Sequence, residues 1–454
     1  FWKYQMRTKL DYPIRGDSKN KVCVFMMAAN EQAVIKKCLD SLKPIAGMIV
    51  FQNNSPNPDS TCSIVENWCK ENEISLYLYD MINEGTWDPA LHRNDVYKKA
   101  NEVSKFGWLF RMDCDEWCSF TDEGIDLSKH ESHNILSPRN IINSIMFVRV
   151  AFFKKGTKLH WPSGQAAHED YLMEEEARFG NLEGIQVHSI NKMTDLHDDK
   201  DIFKKYYREA LGLEKQVFVD REDKFDDYHL WYLAKSYFDI SGEVYRKFWF
   251  SESHRTNCME RAIFFFKTWL KNNGMWGKGI LRAKKEYINI DKTWLDYGYL
   301  AYLNIYSTKR SLGEDFNTAS KYLHLAEALN PWRAEGLDIC REVFFDEEDW
   351  YSLFSVTSKM KGIKNPFPEC GLFVNSRCYH DTSPTILDNR ALAAYWIARE
   401  TKDEHMKSYY YSESVKDLEY LLGSAALTQA LDEETTVRLK ENLTITKAHQ
   451  KDKL

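Results

Sequence analysis

Long hydrophobic runs are absent from this chain of 454 residues. No apolar stretch approaches the roughly 18 residues that a membrane-spanning helix needs, so the sequence predicts no membrane span. A surplus of basic residues is absent as well, because 61 lysines and arginines stand against 68 aspartates and glutamates and leave a net charge of −7. Since nucleic-acid binding usually shows itself as a basic surface, we do not expect a nucleic acid as the main partner.

Regular cysteine spacing is also missing. The ten cysteines form neither a C-x-x-C pair nor the even framework that marks a zinc ribbon or a disulfide-rich secreted domain. Five of them, Cys23, Cys38, Cys62, Cys69 and Cys114, fall inside predicted strands or helices or in the acidic motif described below. This distribution favours reduced thiols and predicts a cytoplasmic protein.

The composition is that of a globular protein, with 43% hydrophobic and 28% charged residues. A chain of this length has room for two or three domains. Aromatic residues are frequent, at 14%. Tryptophan and tyrosine line sugar and base sites, but they also pack between helices, and composition does not decide between these roles.

The first 200 residues alternate between strand and helix patterns. Short apolar runs predict strands at 22–28, 48–51, 74–79 and 107–112, and helical spacing fills the segments between them. This alternation is typical of a mostly parallel sheet with helices on both faces. Residues 1–20 are polar and are predicted to form an arm, and further strands are expected at 145–153 and 185–188.

The fourth predicted strand ends in a pair of carboxylates, Asp113 and Asp115. Residues two apart in a strand point to the same side, so both side chains can face one point beyond the strand end. Paired carboxylate oxygens suit Mg²⁺ or Mn²⁺, and such a cation suits a diphosphate. The alternative is two solvated carboxylates in a surface turn.

From about residue 202 the pattern is almost purely helical. Residues 319–331 match the second helix of a tetratricopeptide repeat (TPR) in the spacing of small residues, large residues and proline. Segments 233–237, 262–269 and 391–396 carry parts of the same pattern, but the period is not a regular 34 residues. Degenerate repeats and a generic helical bundle therefore both remain open.

Six short segments of the first half resemble, in their order and spacing, the motifs of one known family: 24–31, 54–61, 87–94, 113–116, 161–169 and His188. Together they resemble family 2 glycosyltransferases of the GT-A fold. The subgroup they resemble includes lipopolysaccharide-core β-glycosyltransferases and carries a helical repeat tail. The resemblance implies an α/β GT-A domain with a Rossmann-like, mostly parallel sheet at 21–200. An all-α TPR-like domain would follow at 201–454.

The resemblance also implies a site for a nucleotide-sugar donor, with UDP as the expected nucleotide. Its donor-binding residues would be Asn30, Glu31, Gln52, Asn53, Arg93, Asn94 and Asp113. Its metal ligands for Mn²⁺ or Mg²⁺ would be Asp113, Asp115 and His188. Gln52 and Asn53 depart from the family, which usually has an acidic residue at this place.

Each of these roles has a structural alternative. Glu31 also suits the N-terminus of a helix, Arg93 suits an ion pair, and a histidine such as His188 at a strand end is often structural. Glu116 would support the metal ligands, contact the sugar or be a solvated charge. Trp87 and Trp161 would stack on a sugar or pack in the interior.

An inverting transfer needs a base that takes the proton of the acceptor hydroxyl. The candidates are Glu169, which matches the family motif, and Asp170 beside it. The alternative for both is a pair of loop charges.

The sequence therefore predicts a metal-dependent inverting glycosyltransferase that acts on an acceptor hydroxyl of a glycan or a protein. The helical half would bind the acceptor or a protein partner, or mediate self-association. The alternative is a catalytically inactive GT-A domain that serves with its helices as an interaction scaffold. Nucleotidyl transfer is disfavoured because the first strand ends in Ala-Ala-Asn-Glu instead of a glycine-rich basic loop.

Overall fold

The computed structural model describes residues 2–13, 18–83, 88–142, 145–162, 171–189, 199–218, 227–276, 292–366 and 374–451. The chain divides into two compact units. The sheet unit comprises residues 1–143, 147–236 and 243–248, and the helical unit comprises residues 144–146, 237–242 and 249–454.

Strands dominate the first 189 residues. The strands β1 to β12 are Trp2–Leu10, Val22–Ala28, Ala46–Asn53, Ser75–Asn83, Trp108–Arg111, Glu116–Phe120, Ile135–Ile142, Ile145–Val148, Phe152–Lys154, Leu159–His160, Leu172–Met173 and Phe179–Ser189. The helices α1 to α5 are Ile35–Leu42, Thr61–Glu71, Pro89–Val103, Asp199–Phe218 and Asp227–Ile240.

A mixed, mostly parallel sheet forms the centre of this unit. Its strands follow the order β1-β4-β3-β2-β5-β9-β7-β12-β6. The four neighbours β4, β3, β2 and β5 are parallel to one another, and the outer strands β1 and β6 are antiparallel to their neighbours. Numbered among themselves, the four parallel strands run third, second, first, fourth, which is how a doubly wound nucleotide-binding sheet begins.

The alternation of side chains explains why helices cover both faces of this sheet. In β2, Val24 and Met26 enter one core cluster, which also holds apolar residues of α1 and α2. Cys23 and Phe25 point the other way and enter a second cluster together with α3. The buried runs of the parallel strands therefore face apolar helix surfaces on both sides, and the predicted layered α/β architecture is confirmed.

Two parts of the sheet differ from the sequence-based prediction. The expected N-terminal arm contains β1, which pairs with β4 along its whole length, and Arg7 of β1 bonds to Asp80 of β4 at 2.7 Å. Its described side chains are largely exposed, as on an edge strand, so the sequence has no apolar run there. The strand expected at 145–153 is two strands, β8 and β9, separated by Arg149–Ala151.

The helical unit follows. Its helices α6 to α15 are Glu252–Asn272, Lys292–Ser311, Phe316–Ala319, Lys321–Leu329, Glu335–Asp346, Trp350–Lys361, Thr385–Glu400, Glu404–Gly423, Ala425–Thr428 and Glu433–Lys451, with the short strand β13 at Val374–Asn375. The small residues that carry the repeat pattern, Ala262, Ala319 and Ala326, are fully buried. The predicted helical second half is confirmed.

The domain boundary near residue 200 stays a prediction. Strands give way to helices between Ser189 and Asp199, while α4 and most of α5 group with the sheet unit. None of the described helices is long and apolar enough to cross a membrane.

Candidate active site

The carboxyl ends of β2 and β5 bring two predicted site segments to the same edge of the sheet. Asn30 and Glu31 follow β2, and Asp113 and Asp115 follow β5, its parallel neighbour. The order of the parallel strands reverses between β2 and β5, and doubly wound sheets bind their ligands outside the carboxyl ends of the strands at this switch point. Both segments therefore border the switch point of the sheet.

The turn after β2 is held in a fixed conformation. Asn30 has a φ of +62°, in the left-handed region that asparagine tolerates better than most residues. Its side-chain oxygen accepts a hydrogen bond from the backbone N–H of Asp59 at 3.0 Å. The backbone N–H of Glu31 donates to the hydroxyl of Thr61 at 2.7 Å. These bonds tie the first turn to the start of α2.

Two hydrogen bonds between Asp113 and Glu116 hold the acidic turn between β5 and β6. The backbone N–H of Asp113 donates to the carboxylate of Glu116 at 3.0 Å, and the N–H of Glu116 donates to the carbonyl of Asp113 at 3.1 Å. The side chain of Asp113 is 34% exposed and that of Glu116 only 3%. Asp113 and the partly exposed Asp115 therefore face the solvent side, while Glu116 supports the turn from inside.

Arg149 is the main cation at this turn. One of its terminal nitrogens donates to Glu116 at 2.5 Å, and the other lies 3.5 Å from the carboxylate of Asp113. The hydroxyl of Ser189 adds a hydrogen bond to Glu116 at 3.2 Å. Burial raises the pKa of Glu116 and the negative charge of Asp113 adds to this effect, while Arg149 opposes both. Glu116 is thus a buried anchor for Arg149, which excludes its interpretation as a solvated charge.

Positive charge is concentrated beside the turn. The pKa of Arg111 is lowered to about 10, mainly by burial and also by the nearby guanidinium groups of Arg149 and Arg93, whereas Asp113 acts in the opposite direction. For Arg149, burial is outweighed by the carboxylates of Glu116 and Asp113, which hold its pKa above the usual value. Arg149 therefore contacts the carboxylates, Arg111 lies near enough to interact with their charge, and Arg93 lies near Arg111.

Asn94 binds the backbone of Trp161, which precedes the candidate bases Glu169 and Asp170 in the sequence. Its amide nitrogen donates to the carbonyl of Trp161 at 2.7 Å, and its amide oxygen accepts from the N–H of Trp161 at 2.8 Å. Trp161 is buried and packs edge-on against Tyr97 and Phe153. Of the two interpretations of this tryptophan, the structure supports interior packing.

Gln52 and Asn53 are fully engaged within the protein. The Gln52 amide nitrogen donates to Tyr79 at 2.9 Å and to Asp95 at 2.8 Å, and its oxygen lies 3.0 Å from a ring nitrogen of His92. The Asn53 amide donates to Asp80 at 2.7 Å. Both residues are buried, so their observed contacts stabilise the sheet edge.

His188 lies apart from the carboxylates in this structure. Its ring stacks on Trp117 with the centroids 5.2 Å apart, and one ring nitrogen lies 2.7 Å from the hydroxyl of Ser119. Burial lowers its pKa, and the nearby Lys37 adds to this effect. Because neighbouring residues of a strand point to opposite faces, Ser189, and not His188, reaches Glu116. Across the described residues, no group of three or more His, Cys, Asp and Glu side chains is arranged to hold a metal ion.

Other predicted site residues lie outside the described residues. They are Trp87 and the two candidate bases, Glu169 and Asp170. Sequence reasoning, in turn, missed Arg111, Arg149 and Ser189 as members of the site. A single charged residue inside an apolar strand pattern was the available signal for both arginines.

Comparisons with known proteins give only distant similarities. No protein-family model and no curated protein matches this chain. A crystal structure of S. aureus TarS in complex with UDP-GlcNAc has a TM-score of 0.32 and 12% identity, covering 65% of this chain and 93% of that one. A structure of MamA has a TM-score of 0.27 and 15% identity, covering 51% of this chain and 99% of MamA. At these TM-scores neither comparison assigns a family or an activity to this chain.

Proposed function

We propose that the sheet unit is a nucleotide-sugar glycosyltransferase, with UDP as the nucleotide of its donor. The observation that supports this proposal most directly is the position of Asp113 and Asp115 beside Asn30 and Glu31 at the switch point of the sheet. This is the ligand-binding edge of doubly wound sheets. The family 2 resemblance of the sequence motifs gives the same edge the role of the donor site.

The two carboxylates at this edge are the side chains that would hold a divalent cation. Mg²⁺ in phosphate sites is typically bound by one or two carboxylates and completes its coordination with water and phosphate oxygens. Asp115 and Asp113 would hold the ion, and His188 would join them only if its ring left Trp117 and Ser119. When bound, the cation neutralises the diphosphate and stabilises it as a leaving group.

The arginines would bind the remaining charge of the diphosphate. Arg149 is held in place by the buried Glu116, so little conformational entropy is lost when an anion binds to it. Arg111 and Arg93 add positive charge at the same place. Asn30 and Glu31 would bind the base and ribose of the nucleotide, because Gln52 and Asn53 already form hydrogen bonds within the protein.

The transfer itself would be inverting. The acceptor oxygen forms a bond to the anomeric carbon while the bond from that carbon to the diphosphate oxygen breaks, and the acceptor proton passes to a carboxylate. Glu169 is our first candidate for this base and Asp170 the second. The acceptor would be a hydroxyl of a glycan or a protein, with the helical unit binding the acceptor or a partner, or mediating self-association.

Calorimetric titration tests the donor site. UDP, GDP and CDP are titrated with and without Mn²⁺ into the wild type, Asp115→Asn and the control Asp122→Asn, which changes an exposed aspartate in the loop after β6. We expect UDP to bind in the presence of Mn²⁺, and Asp115→Asn to weaken it at least tenfold. The control should bind like the wild type.

Failure of the folded wild type to bind any nucleotide would overturn the proposal. The alternative function would then be an inactive GT-A-like domain that serves with the helical unit as an interaction scaffold. The engagement of Gln52 and Asn53 inside the protein is the observation that favours this alternative.

A further inference from the structure

Lysines from three helices of the helical unit lie close together. Lys267 is on α6, and the charges of Lys271, Lys309 and Lys321 all act on its ammonium group. Lys271 lies about one turn further along α6, while Lys309 belongs to α7 and Lys321 to α9. Helix α7 packs against both α6 and α9, which brings the four residues together. These four residues are called the lysine cluster.

The lysine cluster carries an excess of positive charge. The carboxylate of Glu314 acts on Lys267 and pairs with Lys309 at 2.5 Å. The other three lysines of the cluster form no ion pair with any of the described residues. Four positive charges and one negative charge therefore leave an excess of three positive charges in this part of the helical unit.

The excess charge is held at a cost in the unliganded protein. Burial lowers the pKa of Lys267, the three other lysines of the cluster add to this effect, and Glu314 opposes it. A lowered lysine pKa means that the folded protein disfavours the charged form relative to water. An anion bound at the cluster would reduce this repulsion, so binding of an anion would stabilise the fold.

Aromatic rings support Lys267 from below. Its ammonium nitrogen lies 5.5 Å from the ring centroid of Trp276. That ring stacks on Tyr302 with the centroids 5.9 Å apart, and its centroid lies 6.4 Å from that of Tyr322. The hydroxyl of Tyr302 donates to the carbonyl of Met275 at 2.6 Å, which fixes the stack. Because the surroundings on this side are apolar, the attraction between the ammonium group and an anion is stronger than in bulk water.

The cluster is open to solvent on its outer side. Lys271 and Lys321 are exposed, and Lys267 and Lys309 are partly exposed. A ligand can therefore approach the cluster without any opening of the helical packing.

We propose that the lysine cluster is a binding site for a compact anion with two or more phosphate groups. Ammonium groups bind phosphate oxygens as point charges and do not impose the planar geometry of arginine. A phosphate monoester carries about −1.5 to −2 charges at pH 7, so two phosphate groups match the excess of positive charge within a small volume. An acidic peptide would need three carboxylates in the same space. The site lies within the helical unit and does not rest on the donor site proposed above.

Pyrophosphate is the probe for this site. It is titrated calorimetrically at low salt, without a divalent cation, into the wild type, the double variant Lys267→Gln/Lys321→Gln and the control Lys447→Gln. The control removes a lysine of α15 that pairs with Glu419 outside the cluster. The wild type and the control should bind pyrophosphate, and the double variant should bind it at least about tenfold more weakly, because two charged hydrogen-bond donors are lost. Added salt should weaken binding to the wild type.

Thermal melting gives a second measurement on the same proteins. Melting without ligand shows whether the double variant is folded. Pyrophosphate should raise the melting temperature of the wild type and of the control, since a ligand of the folded state stabilises it. It should have little effect on the melting temperature of the double variant.

Arg149→Met separates this site from the arginines of the sheet unit. This variant should keep the pyrophosphate binding that the double variant loses. The proposal is wrong if the wild type does not bind pyrophosphate at low salt, or if the folded double variant binds it with wild-type affinity. Loss of binding in Arg149→Met alone would place the anion in the sheet unit and would equally overturn the proposal. Tighter binding of a hexaglutamate peptide than of pyrophosphate would contradict the proposed class of ligand.

Discussion

At the scale of single residues, the site depends on Arg149 and the buried acid that holds it. Glu116 accepts hydrogen bonds from Arg149, Ser189 and the backbone of Asp113, so one carboxylate connects the acidic turn with two other segments. Its charge is buried and stays favourable only while Arg149 is present. Stability and ligand binding should therefore respond differently to changes in this pair.

Arg149→Met should lower the free energy of unfolding by about 2 kcal/mol, because it leaves Glu116 buried without its cation. The double variant Arg149→Met/Glu116→Gln should recover most of this loss, since the remaining amide is neutral. Neither variant should regain nucleotide affinity, because the cation that binds the diphosphate is gone. Urea unfolding and titration with UDP measure the two effects, and recovery of UDP binding in the double variant would contradict the proposed role of Arg149.

His92 gives a prediction about pH. Burial lowers its pKa to about 4, below the ordinary value of 6.5. Between these values the unfolded chain binds a proton at this position and the folded protein does not, so the contribution of His92 to stability is complete above pH 6.5 and is lost as the pH falls. The loss should approach about 1.4 kcal/mol per pH unit. His92→Gln should flatten this part of the pH–stability curve, and parallel curves for the two proteins would show that His92 does not cause it.

The position of a residue in the fold was predictable where a single strand determines it. Asp113 and Asp115 follow an apolar run, so their place at a strand end was readable from the sequence. Gln52 was expected to face a ligand, but its contacts with His92, Tyr79 and Asp95 come from segments that only the fold brings together. The partner of Arg149 was hidden for the same reason, because 33 positions separate it from Glu116.

At the scale of elements, β12 is shaped by one glycine. Gly184 lies where the pairing of β12 with β7 shifts register, and its φ is +83°. A Cβ at this position would come within 1.8 Å of the carbonyl oxygen of Gly124. Backbone cannot yield cheaply to such an overlap, so this position excludes any larger residue.

Gly184→Ala should therefore lower the free energy of unfolding by at least about 3 kcal/mol. The matched control is Gly156→Ala, because Gly156 has a φ of +88° but open space around its Cβ position. Conformational strain alone should cost the control about 1–2 kcal/mol. Urea unfolding measures the loss of stability in each variant. Equal losses would show that backbone strain, and not the contact with Gly124, accounts for the cost of Gly184→Ala.

Whether a strand could be predicted from the sequence depended on its burial and on its proline content. The parallel strands β2 to β5 are buried on both faces and appear as continuous apolar runs, so they were predicted. β7 was missed because it contains Pro138, which removes a backbone donor and normally marks an edge or a bulge. Pro138 pairs with Leu182 just before the register shift of β12, so the irregular partner accommodates it.

At the scale of the whole molecule, the two units have separate cores, and the sequence indicated both through a change of hydrophobic period near residue 200. The repeat number of the helical unit was not readable, because its helices vary in length from 4 to 21 residues. The cytoplasmic setting stays a prediction, since it rests on the spacing of cysteines. What the fold adds is a buried ion pair in the helical unit, where Arg333 binds Asp296 at 3.1 Å and Glu335 at 2.8 Å.

Variants of Arg333 test whether the helical unit can lose stability without a change in nucleotide binding by the sheet unit. Arg333 is fully buried, so Arg333→Met leaves two carboxylates buried without their cation and should cost about 3–5 kcal/mol. Arg438→Met breaks the more exposed pair with Asp388 and should cost less than about 1 kcal/mol. Under conditions where both variants remain folded, each should bind UDP with wild-type affinity, because the switch-point residues belong to the other unit. A loss of UDP affinity in folded Arg333→Met would instead mean that the helical unit helps to form the donor site.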